Sequence, residues 1–194
     1  MENEKPKGFV ISRENLSDQF PTHKHSPEFW EYLGRTVATY GFLEEVLRKA
    51  IFTFTATVQY AADETDEAYE AWHAKLEKTL TNQLWNLAED YRKAVCNNPK
   101  STIQNLEELT EDIKESSTIR NVICHGSWRP PDSEGKSVPL FVNRQIQVFQ
   151  TAIDVEFLKQ TQTHVADLAC SVIDTVTAMG CQFPGSTGPG EQVV

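Results

Sequence analysis

Positive charge is what this 194-residue chain has least of: 18 Lys and Arg stand against 28 Asp and Glu, giving a net charge of −10 and a pI near 5.0. A long nucleic-acid footprint needs a broad basic face to displace the counterions of the phosphate backbone, and this balance excludes one. A short contact with a single phosphate survives that test. Long apolar runs are missing as well. The uncharged stretch Ala50 to Ala62 is rich in threonine and too short to cross a bilayer. The opening MENEKPKGFV lacks the apolar core of a secretory signal. The expectation is a cytoplasmic protein with no membrane partner. Cys96, Cys124, Cys170 and Cys181 lie far apart without CxxC spacing, so they read as reduced thiols rather than disulfides or zinc ligands. His23, His25, His73 and His164 form no HxxxH or HExxH pattern, and neither a metal nor a cofactor is expected. No internal repeat is visible, and the length suits one core.

What is present is helical periodicity. Residues 1–26 are polar, broken by Pro6 and Pro21, and read as an irregular, solvated N-terminal arm. Ser26-Pro27-Glu28 then has the order of an N-cap, a first-turn proline and a first-turn acid. From there Trp30, Leu33, Val37, Tyr40, Leu47, Ile51, Phe54 and Val58 recur at steps of three and four, the stripe of a long amphipathic helix. Phe52, Phe54, Ala56 and Val58, alternating with threonines, offer a strand reading for its end; helix is preferred because no turn residues intervene. A second helix is expected from about Asp63 to Val95, followed by a turn at Asn97-Asn98-Pro99. A third is expected over about 101–125, with an acidic outer face. Arg129 to Gly135 reads as a loop, and Val138 to Val148 as an extended segment or small β-hairpin. Asp154 caps a fourth helix that Gly180 closes. The Gly/Pro-rich end is read as disordered. These elements sum to an all-α protein: an antiparallel four-helix bundle with a small extended insertion before the last helix, one domain over 27–181, and a disordered tail over 182–194.

The chemistry concentrates in SSTIRNVICHGSW, residues 116–128. Arginine is a permanent cation suited to phosphate, and histidine trades protons near neutral pH. Arg120 and His125 are five apart, about 140° around an ideal helix, so they would not share a face, whereas Asn121 and His125 would. Gly126 permits a positive φ, which would unwind the last turn and let His125 swing toward Arg120. An Arg and a His at such spacing arise by chance in roughly one chain of two, so the setting must carry the argument. The plain alternative for His125 is a helix-capping histidine with no chemistry. In the apolar stripe of the first helix, the position between Tyr40 and Leu47 is Glu44. A carboxylate in a buried seam needs a partner. Arg120 is one candidate and Arg48, one turn on, is the other. Trp128 either stacks on a nucleic-acid base or packs as bundle-edge core, and Arg129 beside it is a further candidate for RNA contact.

At these residues the chain resembles the HEPN superfamily of helical-bundle domains. Many members end their third main helix on Arg, a polar residue that is often Asn, a few variable positions and His; here that is RNVICH, Arg120 to His125. A first-helix Glu near the motif is similarly matched by Glu44. The resemblance spans roughly residues 28–180 and is specific in the motif alone. It implies a metal-independent endoribonuclease working as a homodimer, with two motifs sharing one composite site. In that role His125 would handle the proton, Arg120 would bind the phosphate, and Asn121 would orient either one. It also implies RNA as substrate, an antitoxin or other protein partner, and a setting in toxin–antitoxin systems or anti-phage defence. Non-catalytic members act as interaction, nucleotide-binding or RNA-binding modules. Position 127 is Ser where antitoxin-modified relatives tend to carry Tyr, so modification there is not expected.

Overall fold

The computed structural model describes residues 11–61 and 64–185. Within them the chain forms five α-helices: α1 (Pro27–Ala56), α2 (Thr65–Leu80), α3 (Leu84–Cys96), α4 (Leu106–His125) and α5 (Val155–Ala178), after a short 3-10 turn at Arg13–Asn15. The described residues hold no strand, and no helix among them is long and apolar enough to cross a membrane. The all-α expectation holds; the count of four helices does not.

The start of α1 follows its sequence. The Ser26 hydroxyl accepts from the Phe29 amide at 3.2 Å, with Pro27 in the first turn. The Phe52–Val58 alternation resolves as helix up to Ala56. At the other end of the chain Asp154 accepts from the Phe157 amide at 2.7 Å. The last turn of α5 closes on Gly180 at φ +75, where the Gly180 amide bonds Thr177 O and the Cys181 amide bonds Val176 O. That double bond requires the left-handed region that glycine reaches freely.

The helix expected over 63–95 is two helices, although its proposed first residue lies outside the described ones. The break at Thr81-Asn82-Gln83 is held by side chains: Asn82 Nδ2 donates to Asp90 Oδ2 at 2.7 Å, and the Asn82 carbonyl accepts from Arg48 at 3.3 Å. An asparagine that finds such partners outcompetes the helical hydrogen bond it would otherwise serve. Apolar spacing runs through the break unchanged, so it was invisible to periodicity. Leu84, Leu87 and Tyr91 of α3 are fully buried, whereas α2 buries Thr79 alone and leaves Leu80 exposed.

That one break reverses the polarity of everything after it. With five alternating helices the first and last run parallel. Near the base, Thr36 of α1 donates to Leu158 O at 3.2 Å and Glu28 pairs with Lys159 at 3.1 Å; at the far end Lys49 sits over the Phe183 ring, beyond α5. α3 and α4 are antiparallel, joined by Glu89–Lys114 and Arg92–Glu107. The expected antiparallel bundle is thereby corrected for α1 and α5. α4 also starts later than expected, at Leu106. Before it, buried Asn98 donates to Phe54 O at 2.9 Å and ties the turn to the end of α1. α1 is the central helix, and its Leu43, Leu47, Ala50 and Phe54 are wholly covered.

Residues 126–154 are extended but carry three isolated antiparallel bridges, Ser127 with Leu140, Ser137 with Ile153 and Val142 with Val148, in place of strands. Residues 11–26 carry no α-helix, and not all of them are solvated: His25 is buried, stacked on Phe29 at 4.3 Å, and Trp30 donates to Thr22 O at 2.9 Å. Burial pushes the His25 imidazole below its ordinary value. Phe183, in the segment read as tail, packs against the core, and residues 186–194 lie outside the described ones.

Glu89 joins α3 to α4. Hydrogen bonds from Arg92 and then Lys114 hold its carboxyl at about 2. A carboxylate whose folded value lies below its unfolded one stabilises the fold above the unfolded value, and that contribution disappears as pH falls through the folded one. Glu89→Gln is therefore expected to lower the melting temperature by about 2–4 °C at pH 7, a solvent-screened loss near 1 kcal/mol. The gap to the parent should close between about pH 4.5 and 2. A gap independent of pH would assign the loss to packing.

Candidate active site

The seam between α1 and α4 is built from two residues on each helix. Tyr40 and Glu44 stand one turn apart on α1, and Ser116 and Arg120 one turn apart on α4. The Tyr40 hydroxyl lies 3.0 Å from both the carbonyl and the hydroxyl oxygen of Ser116. Burial pushes the Tyr40 hydroxyl up to about 12 and keeps it a neutral donor. One turn along, Glu44 Oε1 lies 3.3 Å from Arg120 Nη2 and Oε2 lies 3.3 Å from Arg48 Nη2. Both partners foreseen for Glu44 are thus engaged at once. The Arg120 contact is an ion pair outside hydrogen-bond geometry. Arg120 Nη1 further meets Asn121 Oδ1 at 3.4 Å. With its side chain 23% exposed, the guanidinium is fixed by the seam and still reachable.

His125 is the last residue of α4 and is exposed to solvent. The helix stays regular to that point. Gly126 has φ −70 and ψ 141, and its amide bonds Val122 O at 2.8 Å, so the last turn does not unwind. The expected unwinding that would swing His125 toward Arg120 is corrected: on a helix regular to its last residue the two lie about 140° apart, with Arg120 at the α1 seam and His125 exposed. Glycine is needed at 126 for room instead. A Cβ there would stand 2.5 Å from Val122 O and 2.9 Å from Pro139 Cβ. Gly126→Ala is expected to cost about 1–3 kcal/mol, because a main-chain oxygen and a proline ring must both shift. A thermal melt checks this; an unchanged midpoint would show that the 126–154 segment gives way freely.

Trp128 is half-buried against the core, edge-on to Phe29 at 5.0 Å and to His25 at 6.2 Å. This is its packing alternative; the ring braces the motif loop against the base of α1. Arg129 is exposed, and its carbonyl accepts from Ser137 Oγ at 2.7 Å. Among the described residues no group of three or more His, Cys, Asp or Glu is placed to hold a metal ion. No protein-family model, curated protein or solved structure matches the chain.

Two participants were not singled out in the sequence. In the sequence Tyr40 belongs to the apolar stripe, although its spacing to Glu44 repeats that of Ser116 to Arg120. Asn82 carried no signal, yet its carbonyl holds the far end of the Arg120–Glu44–Arg48 chain of charges. A groove of about 470 Å³ opens beside the seam, lined by Tyr40, Asp112, Glu115, Ser116 and His164 among others, and contains neither Arg120 nor His125. What one chain offers is an anchored, reachable cation and, separately, an exposed imidazole.

Proposed function

We propose that the chain is a HEPN-type, metal-independent endoribonuclease whose site is completed by a second copy. The observation that carries the reading is the division of labour at the end of α4: Glu44 fixes Arg120 on one side, and His125 stands exposed on the other. Two copies meeting at this end would let a phosphodiester touch a cation and an imidazole from different chains. The 2′-oxygen would attack the adjacent phosphorus as the bond to the 5′-oxygen breaks, leaving a cyclic phosphate and a 5′-hydroxyl. His125 would move the proton, Arg120 would take the charge growing on the phosphoryl oxygens, and Asn121 would orient the guanidinium it already touches. A setting in toxin–antitoxin systems or anti-phage defence follows from the resemblance alone.

The non-catalytic reading, a dimeric module that binds a protein, nucleotide or RNA, is favoured by one observation. Arg120 already has a carboxylate partner within the fold. Incubating the purified protein with RNA in excess chelator separates the two. Cleavage leaving cyclic-phosphate ends supports the enzyme, and intact RNA at every protein concentration supports the module.

A further inference from the structure

The extended segment after the motif shows the wrong residues to water. From Ser137 onward its side chains alternate: Ser137 and Pro139 are buried and Phe141 packs on the core, while Val138, Leu140 and Val142 point out, 37%, 47% and 48% exposed. After the turn Phe149 packs inward and Val148 is 53% exposed. An extended segment with one face on a core ordinarily carries polar residues on the other; apolar residues on both faces mark a segment covered on both. Ile146, at the tip of the turn, is 84% exposed and has φ +61. A β-branched residue rarely adopts that conformation, and nothing in the fold uses the side chain so displayed.

We infer that this aliphatic ridge is the face on which a second copy of the chain seats. Charge selects that occupant. Each copy carries −10, and between Ser137 and Ile153 the sole charged residue is Arg144. Two like-charged copies approach most readily where acidic residues are missing, and an uncharged aliphatic row is complementary to itself about a two-fold axis. The ridge also adjoins the motif. Leu140 and Ser127 exchange both main-chain hydrogen bonds, at 2.8 and 3.0 Å, two residues beyond His125. A mate seated there brings its own motif to the same end of the bundle. That two copies share a site belongs to the ribonuclease reading, on which this consequence rests; the ridge itself is apolar and exposed whether or not the protein cuts RNA.

The test is the mass of the full chain in solution. At about 100 μM, a hundredfold above a roughly micromolar dissociation constant, the parent is expected to be a dimer by light scattering. Leu140→Glu/Val142→Glu should raise the dissociation constant at least about tenfold, since charges would have to be buried at the centre of the contact. Ile146→Asn, altering the most exposed side chain and better suited to positive φ, should weaken the dimer with its helical circular dichroism intact. That variant decides the matter if the double one fails to fold. A monomeric parent overturns the inference, and so does a dimer that Ile146→Asn and any folded double variant leave as tight as before. A dimer sensitive to these substitutions that never cuts RNA keeps the ridge and removes the nuclease, whereas a dimer that cuts RNA and is left as tight by these substitutions does the reverse.

Discussion

His125→Ala is expected to slow RNA cleavage by about 10²–10⁴-fold, the usual worth of a positioned acid or base, while the melting temperature stays within about 2 °C of the parent. Both halves follow from the placement of the side chain. The ring is exposed and makes no hydrogen bond to another described residue, so truncation leaves no buried partner unsatisfied. The end of α4 is closed by the Gly126 amide on Val122 O, a main-chain bond the substitution does not touch. Alanine is also a better helix former than histidine. Unchanged cleavage by the variant would remove the proton-transfer role. Undetectable cleavage together with a large loss of stability would instead make His125 a structural residue.

The same geometry makes a sharper demand. If the productive pair is Arg120 of one copy with His125 of another, two inactive variants can rescue each other. Mixing His125→Ala with Arg120→Ala gives heterodimers in which one of the two Arg120–His125 pairs across the composite site retains both groups. Partial recovery of cutting on mixing is the expected result, and the regular helix through His125 is the reason to expect it.

Local chemistry was legible in the sequence wherever a single residue decides an end. Ser26, Asp154 and Gly180 stop or start helices through their own side chains or backbone freedom, and all three do so here. Glu44 stood out because a carboxylate interrupts an apolar stripe, and its foreseen alternatives coexist since each oxygen takes a different arginine. The failures share a cause. Asn82 breaks the long second helix through Asp90 and Arg48, neither of which is a neighbour in sequence, and no periodicity registers such partners. Because each helix reverses the chain, that local miss became an error of topology and set the direction of α5 wrongly. Gly126 was assigned the wrong property for a similar reason: its need for space comes from Pro139, which the extended segment folds back against it. His25 in the arm was read as solvated because nothing in the sequence says that Phe29, Trp30 and Trp128 will surround it.

Glu44→Ala should be the most destabilising polar substitution at the site, by about 2 kcal/mol. The carboxylate is 14% exposed and lies between Arg120 and Arg48, whose side chains are 23% and 24% exposed. Its removal leaves two partly covered guanidinium groups facing each other without a counter-charge. Stripping one partner from a fully buried pair costs about 3–5 kcal/mol; the quarter exposure of both arginines, which water can still solvate, brings the figure down. For a chain of this length the melting temperature should fall by about 4–8 °C. Arg48 keeps the Asn82 carbonyl, whereas Arg120 keeps only the 3.4 Å contact with Asn121, so Arg120 is the group released. Cleavage should therefore fall in Glu44→Ala even at temperatures where the protein is fully folded. Glu44→Gln should repeat much of the loss, because an amide offers one oxygen to two arginines and turns a donor toward the second. A double-mutant cycle assigns the cause: removing Arg120 in the Glu44→Ala background should recover part of the lost stability, as the repulsion with Arg48 goes with it. Simple additivity of the two losses would show that Glu44 acts through packing, and the electrostatic account of how Arg120 is held would fall with it.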